Sequence, residues 1–330
     1  MLDTPIIVGP ALPDMPWEDK PAECNHLIWR YSQNPLIDRN PIPCAHGIYN
    51  SSVIPFGDGY AGIFRADYHS AMPFLHVGFS KDALDWDISH EKIDFIRAND
   101  EIEEIGWAYD PRVCKVGDDY IITWCNKFEE CPTIGIATTK DFKTFHQQEN
   151  AFLPYNRNGV MFPKKINGNY AMYSRPSDGG HTAFGDIYYS ESPDLLYWGK
   201  HRRAMAAGPN WWDSTKIGAG PTPIETTEGW LVFYHGVITT CNGYIYCFGA
   251  ALMDLDEPWK VIYRTNQSIL TPEFDYEVNG RVPNVAFPCA ALCDAPTGRI
   301  TLYYGSADTY TCVAFAQVEE VLDFIKNNCL

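Results

Sequence analysis

The 330-residue chain predicts an all-β fold, a five-bladed β-propeller, on three observations. Five segments repeat a short apolar strand, a Gly- or Asp-containing turn and a second strand that opens on an aromatic or large apolar residue. Each hairpin is followed by a third apolar strand, and three of these run into the same punctuation, a Ser/Thr-x-Asp turn and then a large aromatic. Whole hairpins recurring at roughly 50 to 70 residues are the mark of propeller blades, typically four-stranded sheets around a central channel. A sandwich also spaces its strands at about 8 to 12 residues, but it predicts no repeat of whole hairpins.

The elements follow in order. Residues 1–45 carry Pro5, Pro10, Pro13, Pro16 and Pro21 with Trp17 and Trp29, which reads as an irregular N-terminal arm. Such an arm is suited to packing across the propeller or against a neighbouring subunit, so a homo-oligomer is one expectation. Residues 46–330 form the propeller, with hairpins at 50–65, 110–125, 159–175, 220–235 and, more loosely, 287–308. Third strands are expected at 75–79, 133–137, 186–189, 246–250 and 312–316. The shared turns are Ser80-Lys-Asp82 before Trp86, Thr139-Lys-Asp141 before Phe145 and Ser192-Pro-Asp194 before Trp198. Their side-chain oxygens bond local amides, and each aromatic reads as a wedge between neighbouring blades. A short amphipathic helix closes the chain, with Val318, Val321, Leu322 and Ile325 on one stripe.

Composition narrows the function. A formal charge of -17 argues against nucleic acid or an anionic membrane, both of which need a basic footprint. Eleven cysteines without a CxxC pair or zinc-site spacing read as free thiols, with Cys114, Cys125, Cys247 and Cys289 inside apolar strands, and no metal site is expected. The first residues show no basic segment followed by a long apolar run, and no stretch of about 18 apolar residues occurs, so a cytoplasmic protein is expected.

In an antiparallel hairpin the first residue of one strand and the last of the next lie at the same end, so all five hairpin mouths open on one face. Gathered there are Asn50 with Arg65 and Asp67, then Asp110, then Arg157 and Asn158 with Arg175, then Lys216 with His235, and Asn284 with Asp308. A polar funnel rimmed by Tyr and Trp suits a sugar. Asp110 is the leading proton donor, because it opens an apolar strand behind Gly106-Trp-Ala-Tyr109 and is expected in a partly desolvated pocket that raises its pKa. Inverting hydrolysis needs a second carboxylate about 6.5 to 9.5 Å away to activate water. The opposing mouths instead offer Arg157, Lys216 and His235, which suit a phosphate dianion. Phosphate needs no base, so a phosphorylase is favoured over a glycosidase, or over a sugar-binding propeller without chemistry.

Six ordered motifs, Tyr109-Asp-Pro-Arg-Val, Asn156-Arg-Asn-Gly-Val-Met-Phe-Pro, Ser174-Arg-Pro-Ser-Asp, Thr215-Lys-Ile-Gly-Ala-Gly-Pro, Tyr234-His-Gly-Val and Tyr304-Gly-Ser-Ala-Asp, together resemble glycoside hydrolase family 130, the β-mannoside phosphorylases. The resemblance implies inverting phosphorolysis of β-1,4-mannooligosaccharides or of β-1,4-mannosyl-N-acetylglucosamine, releasing α-mannose 1-phosphate. An inverting β-mannosidase on the same fold is the alternative. It implies that Asp110 is the catalytic acid, acting through the 3-hydroxyl of the mannose being transferred. Arg157, Lys216 and His235, with Asn158 and Tyr246, fall at phosphate-binding positions. Asn50, Arg65, Asp67 and Asp308 fall at mannose-binding positions, and Tyr109, His181, Tyr244 and Phe287 fall where the acceptor sugar sits. Inorganic phosphate is then a co-substrate, and no cofactor or metal is implied.

Overall fold

The computed structural model describes residues 6–128, 131–177 and 185–329. The N-terminal arm runs irregularly except for β1 (Trp29–Arg30). Four strands in sequence order make the first sheet: β2 (Ala45–Phe56), β3 (Gly59–Tyr68), β4 (Pro73–Ser80) and β5 (Asp87–Lys92). The second sheet runs β7 (Ala108–Val116), β8 (Asp119–Phe128), β9 (Cys131–Thr139) and β10 (Phe145–Gln147), with β6 (Phe95–Arg97) laid parallel along its outer edge. Strands β11 (Asn156–Met161), β12 (Tyr170–Pro176), β13 (Ile187–Ser192) and β14 (Gly199–Met205) form the third. In the fourth, β15 (Lys216–Ala219) and β16 (Ile224–Thr226) share β17 (Gly229–Thr240) as partner, followed by β18 (Gly243–Met253) and β19 (Val261–Arg264). After the single turn α1 (Asp275–Val278), the fifth sheet is β20 (Ala286–Asp294), β21 (Arg299–Ser306) and β22 (Tyr310–Gln317), and α2 (Val318–Asn327) follows. Five blades and each expected third strand are therefore present.

The ring closes through the arm. Trp29 and Arg30 pair antiparallel with Phe315 and Ala314, so β1 becomes the outer strand of the fifth blade. Sequence pattern gave the arm no strand, because two residues are too short to show a period of two. Five apolar clusters occupy the seams between consecutive blades. Ile48 and Phe64 meet Leu292 and Tyr303 at the seam between the fifth and first blades, for example, and Ile134 and Ile136 meet Met161 and Met172 between the second and third. Each large side chain buried this way contributes roughly 1.5 to 3 kcal/mol, so the seams hold the ring together.

The repeated turns behave as one motif. The hydroxyls of Ser80, Thr139 and Ser192 accept the amides of Ala83 (2.8 Å), Phe142 (3.0 Å) and Leu195 (2.8 Å). Asp82, Asp141 and Asp194 accept the next two amides in each case. Trp86, Phe145 and Trp198 each pack into the seam with the preceding blade. The stripe of α2 is buried as its spacing requires. All eleven cysteines are free thiols.

Glu277, fully buried, secures the closing strand. It takes Arg30 at 2.7 and 3.0 Å, the Tyr304 hydroxyl at 2.8 Å and the amides of Glu273 and Phe274. Removing one partner of a buried ion pair leaves the other charge uncompensated. Arg30→Ala is therefore expected to cost about 3 to 5 kcal/mol, read as a lowered urea midpoint with an unchanged slope.

Candidate active site

Three inner strands leave their ladders at the same level. Register breaks fall between Tyr49 and Ser52 in β2, Tyr109 and Arg112 in β7, and Arg157 and Val160 in β11. At each break one residue is left-handed: Asn50 (φ 50°), Asp110 (φ 52°) and Asn158 (φ 53°). Asn and Asp tolerate that conformation better than other residues with a Cβ, and a bulge re-aims its side chain out of the ladder. All three side chains thereby reach one central cavity of about 740 Å³. Asn50 needs the close approach of Gly305, where a Cβ would overlap its amide oxygen.

Acids and cations are segregated around this cavity. On the side of the first, second and fifth blades, Arg65 is the hub. It donates to Asp67 (2.7 Å), Asp110 (2.7 Å) and the Tyr49 hydroxyl (2.7 Å), and Asn50 donates to the same Asp110 oxygen at 2.9 Å. Burial alone would raise the Asp67 carboxyl, but Arg65, Tyr49 and Arg281 outweigh it and hold Asp67 below the usual carboxylate range. Among the described residues Asp308 makes no such pair. Burial, with Asp110 and Asp67 adding to it against Arg65 and Arg281, pushes its carboxyl up to about 6. Asp110 is partly desolvated, as expected, and the strand pattern did not show its partners: its Oδ1 sits between a guanidinium and an amide.

From the third and fourth blades, Arg157, Arg175 and Lys216 line the same cavity. Arg157 donates to the hydroxyls of Tyr109 (3.2 Å) and Ser177 (3.0 Å), and Arg175 to His235 Nε2 (2.9 Å). Lys216 Nζ lies 4.5 Å from the Tyr244 ring centroid and 5.5 Å from that of Tyr246. Among the described residues, no carboxylate is within salt-bridge distance of any of the three, in a chain with 42 acidic side chains. Burial, then Arg175 and Arg157, lower the Lys216 ammonium to about 8. The Arg175 Nε is buried without a hydrogen-bond partner. Like charges gathered and desolvated without a counter-ion make a berth for an anion.

His235 is placed differently from its expected role. It is fully buried, does not line the cavity, and its ring packs 4.4 Å from that of Phe287. Burial, then Arg175, Arg112 and Lys216, hold it well below the usual histidine range, so it is neutral. A guanidinium can only donate, which makes Nε2 the acceptor, and His235 supports Arg175 from behind. Asp67 likewise stays behind Arg65 and off the main cavity, and Asn284 does not line that cavity. Of the other expected residues, Asn50, Arg65, Tyr109, Asp110, Arg157, Asn158, Lys216, Tyr244, Tyr246, Phe287 and Asp308 all line it. His181 lies outside the described residues. Arg175 was visible in sequence only as one more basic residue at a mouth.

Arg112 was missed. Fully buried beneath the site, its guanidinium donates to the carbonyls of Gly220 (2.7 Å), Pro111 (2.8 Å) and Pro288 (3.2 Å), tying the second blade to the fourth and fifth. In the sequence it is an arginine within an apolar strand, a signal of burial but not of partners.

A family profile described as beta-1,4-mannooligosaccharide phosphorylase, that of glycoside hydrolase family 130, matches residues 12–327. The chain belongs to this family. A relative named beta-1,4-mannooligosaccharide phosphorylase, from Ruminococcus albus, is 54% identical over 99% of both chains. A second relative, named beta-1,2-mannobiose phosphorylase, from Listeria innocua, is 36% identical over 77% of this chain and 69% of its own. A solved structure of beta-1,2-mannobiose phosphorylase from Listeria innocua with beta-1,2-mannobiose superposes with a TM-score of 0.81 at 28% identity, covering 91% of this chain and 99% of that one.

The lowered Lys216 ammonium gives the family 130 site a pH signature. The side chain is cationic below about 8 and neutral above it, so anion affinity is expected to fall as pH rises through that value. Calorimetry with sulfate, whose own charge is constant over the range, reads this directly, and Lys216→Gln should flatten the profile.

Proposed function

We propose that the protein cleaves β-1,4-mannooligosaccharides by inverting phosphorolysis, releasing α-mannose 1-phosphate and a shortened acceptor. The observation that carries this reading is the trio Arg157, Arg175 and Lys216, unpaired by any described carboxylate and lining one cavity with Asp110. An inverting glycosidase would need a carboxylate base on the side of the attacking water. The other two acids, Asp67 and Asp308, instead gather with Asp110 around Arg65. The relative at 54% identity, named for β-1,4-mannooligosaccharides, supports the linkage.

In this mechanism Arg157 and Arg175 bind phosphate oxygens and Lys216 adds a point charge, with Asn158 and Tyr246 beside them and His235 bracing Arg175. Asn50, Arg65 and Asp308 hold the mannose hydroxyls, while Asp67 keeps Arg65 oriented. Asp110 supplies the proton to the departing oxygen, by way of the mannose 3-hydroxyl. Its left-handed bulge and the Arg65 and Asn50 contacts fix the direction of that carboxyl. Tyr109, Tyr244 and Phe287 offer ring faces to the acceptor, with His181 assigned by motif alone. Phosphate is already nucleophilic, so the chemistry calls on no cofactor or metal.

No helix among the described residues is long and apolar enough to cross a membrane. We place the activity in the cytoplasm, in the breakdown of mannan-derived oligosaccharides, where free phosphate is at hand. Self-association through the Pro- and Trp-rich arm belongs to the same proposal.

Incubation with β-1,4-mannobiose should give mannose 1-phosphate only when phosphate is present; cleavage in phosphate-free buffer would make the protein a glycosidase. Asp110→Asn is expected to lower kcat by about 10² to 10⁴, the usual share of a general acid. Lys216→Ala should raise KM for phosphate well beyond its effect on KM for the mannoside, and equal effects on both would remove it from the phosphate berth.

A further inference from the structure

Asp308 reaches the central cavity from a short turn, residues 307–309, between β21 and β22. Ala307 and Asp308 are both left-handed, each at φ 46°. Two successive residues with a Cβ in that region cost free energy, and such strain persists only where the surroundings over-determine it. Ala307 lacks the short polar side chain that lets Asn and Asp settle there, so the turn needs support from outside its own hairpin.

One segment supplies it. Residues 279–285, between α1 and β20, wrap the turn with main-chain contacts. Ala307 donates its amide to the Val285 carbonyl at 3.0 Å and accepts the Val282 amide at 3.2 Å. The Thr309 hydroxyl accepts the Arg281 amide at 2.9 Å and donates to the Ala307 carbonyl at 2.9 Å. Gly280 lies directly against the turn: a Cβ there would overlap the Ala307 carbonyl oxygen and stand 2.6 Å from the Ala307 Cβ. Gly280 is not itself left-handed, so close approach is what requires a glycine.

The segment is tied in turn to the N-terminal arm. The Glu277 carbonyl accepts the Val285 amide at 3.1 Å, while its carboxylate holds the Arg30 fork and the Tyr304 hydroxyl. Beside the turn, the Ser306 hydroxyl donates to the Tyr276 carbonyl at 2.7 Å. Hydrogen bonds therefore run without a gap from the closing strand β1 through α1 to the turn that carries Asp308. Among the described residues no cation pairs with Asp308, so its carboxyl is placed by its backbone rather than by a side-chain partner.

We propose that Gly280, Arg30 and Glu277 are positioning residues for the sugar half of the cavity: through residues 279–285 they hold the turn at Ala307 and Asp308, and so fix where the Asp308 carboxyl meets a mannose hydroxyl. The arm is then part of the site as well as the clasp of the ring. The proposal rests on the reading of Asp308 as a mannose-binding residue.

Gly280→Ala tests this with a single methyl group. Asp308 offers a readout that needs no ligand, since burial raises its carboxyl to about 6, with Arg65, Asp110, Asp67 and Arg281 around it. Followed by NMR, that titration should fall toward the ordinary carboxylate range as the turn is pushed out of place. In calorimetry without phosphate, the variant should bind β-1,4-mannobiose about tenfold more weakly, as for one misplaced hydrogen bond to a charged group. Sulfate affinity should stay within about twofold. Phosphorolysis should show the same split, with KM raised for the mannoside and not for phosphate. Arg30→Lys, which keeps the charge and loses the fork, should act in the same direction to a smaller extent, and it carries the test if Gly280→Ala does not fold. An unmoved Asp308 titration in a folded variant, or equal weakening of mannobiose and sulfate, would overturn the positioning role. A shifted titration with mannobiose affinity intact would uphold the support of the turn and overturn the reading of Asp308 as a mannose ligand instead.

Discussion

The site depends on three inner strands breaking their hydrogen-bond ladders at one height. In a regular strand, alternate side chains face the seams between blades and only the strand end meets the channel. A bulge with a left-handed residue turns a side chain out of that alternation, and here it does so for Asn50, Asp110 and Asn158. The conformation favours residue types that tolerate it, and Asn and Asp also bring polar groups to the cavity. Backbone geometry and the polarity of the cavity thus favour the same residues. Arg112 holds the arrangement from below by taking carbonyls from three blades.

The second constraint is electrostatic. Within one cavity, Arg65 binds two carboxylates while Arg157, Arg175 and Lys216 share none among the described residues. The first group is nearly self-sufficient and so holds its shape without ligand. The second is buried and self-repelling: burial first, then the neighbouring cations, depress the Lys216 ammonium and keep His235 neutral. An anion entering there would relieve it, despite the protein's charge of -17. The acid-rich group and the cationic group thus line one cavity from different blades.

Local patterns made the fold legible. The five hairpins, their third strands and the Ser/Thr-x-Asp turns each depend on neighbours within a few residues, so turn chemistry and apolar alternation carried them. The closing strand β1 escaped because its partner β22 lies nearly three hundred residues away. At the site, the lining residues could be gathered by noting which end of each hairpin they occupy. Depth could not: His235 reads like Arg157 in sequence, yet it is fully buried and Arg175 stands in front of it.

By itself the sequence determined the blade number, the face on which the polar groups collect and the residue types available there, because hairpin periodicity and strand polarity are properties of short segments. Tertiary structure alone decided which arginine faces the cavity and which serves as a strut beneath it, and which carboxyl is paired with Arg65 and which is left to burial. Those outcomes depend on the distance between side chains on different blades. That distance is set only when the ring closes and the seams are packed.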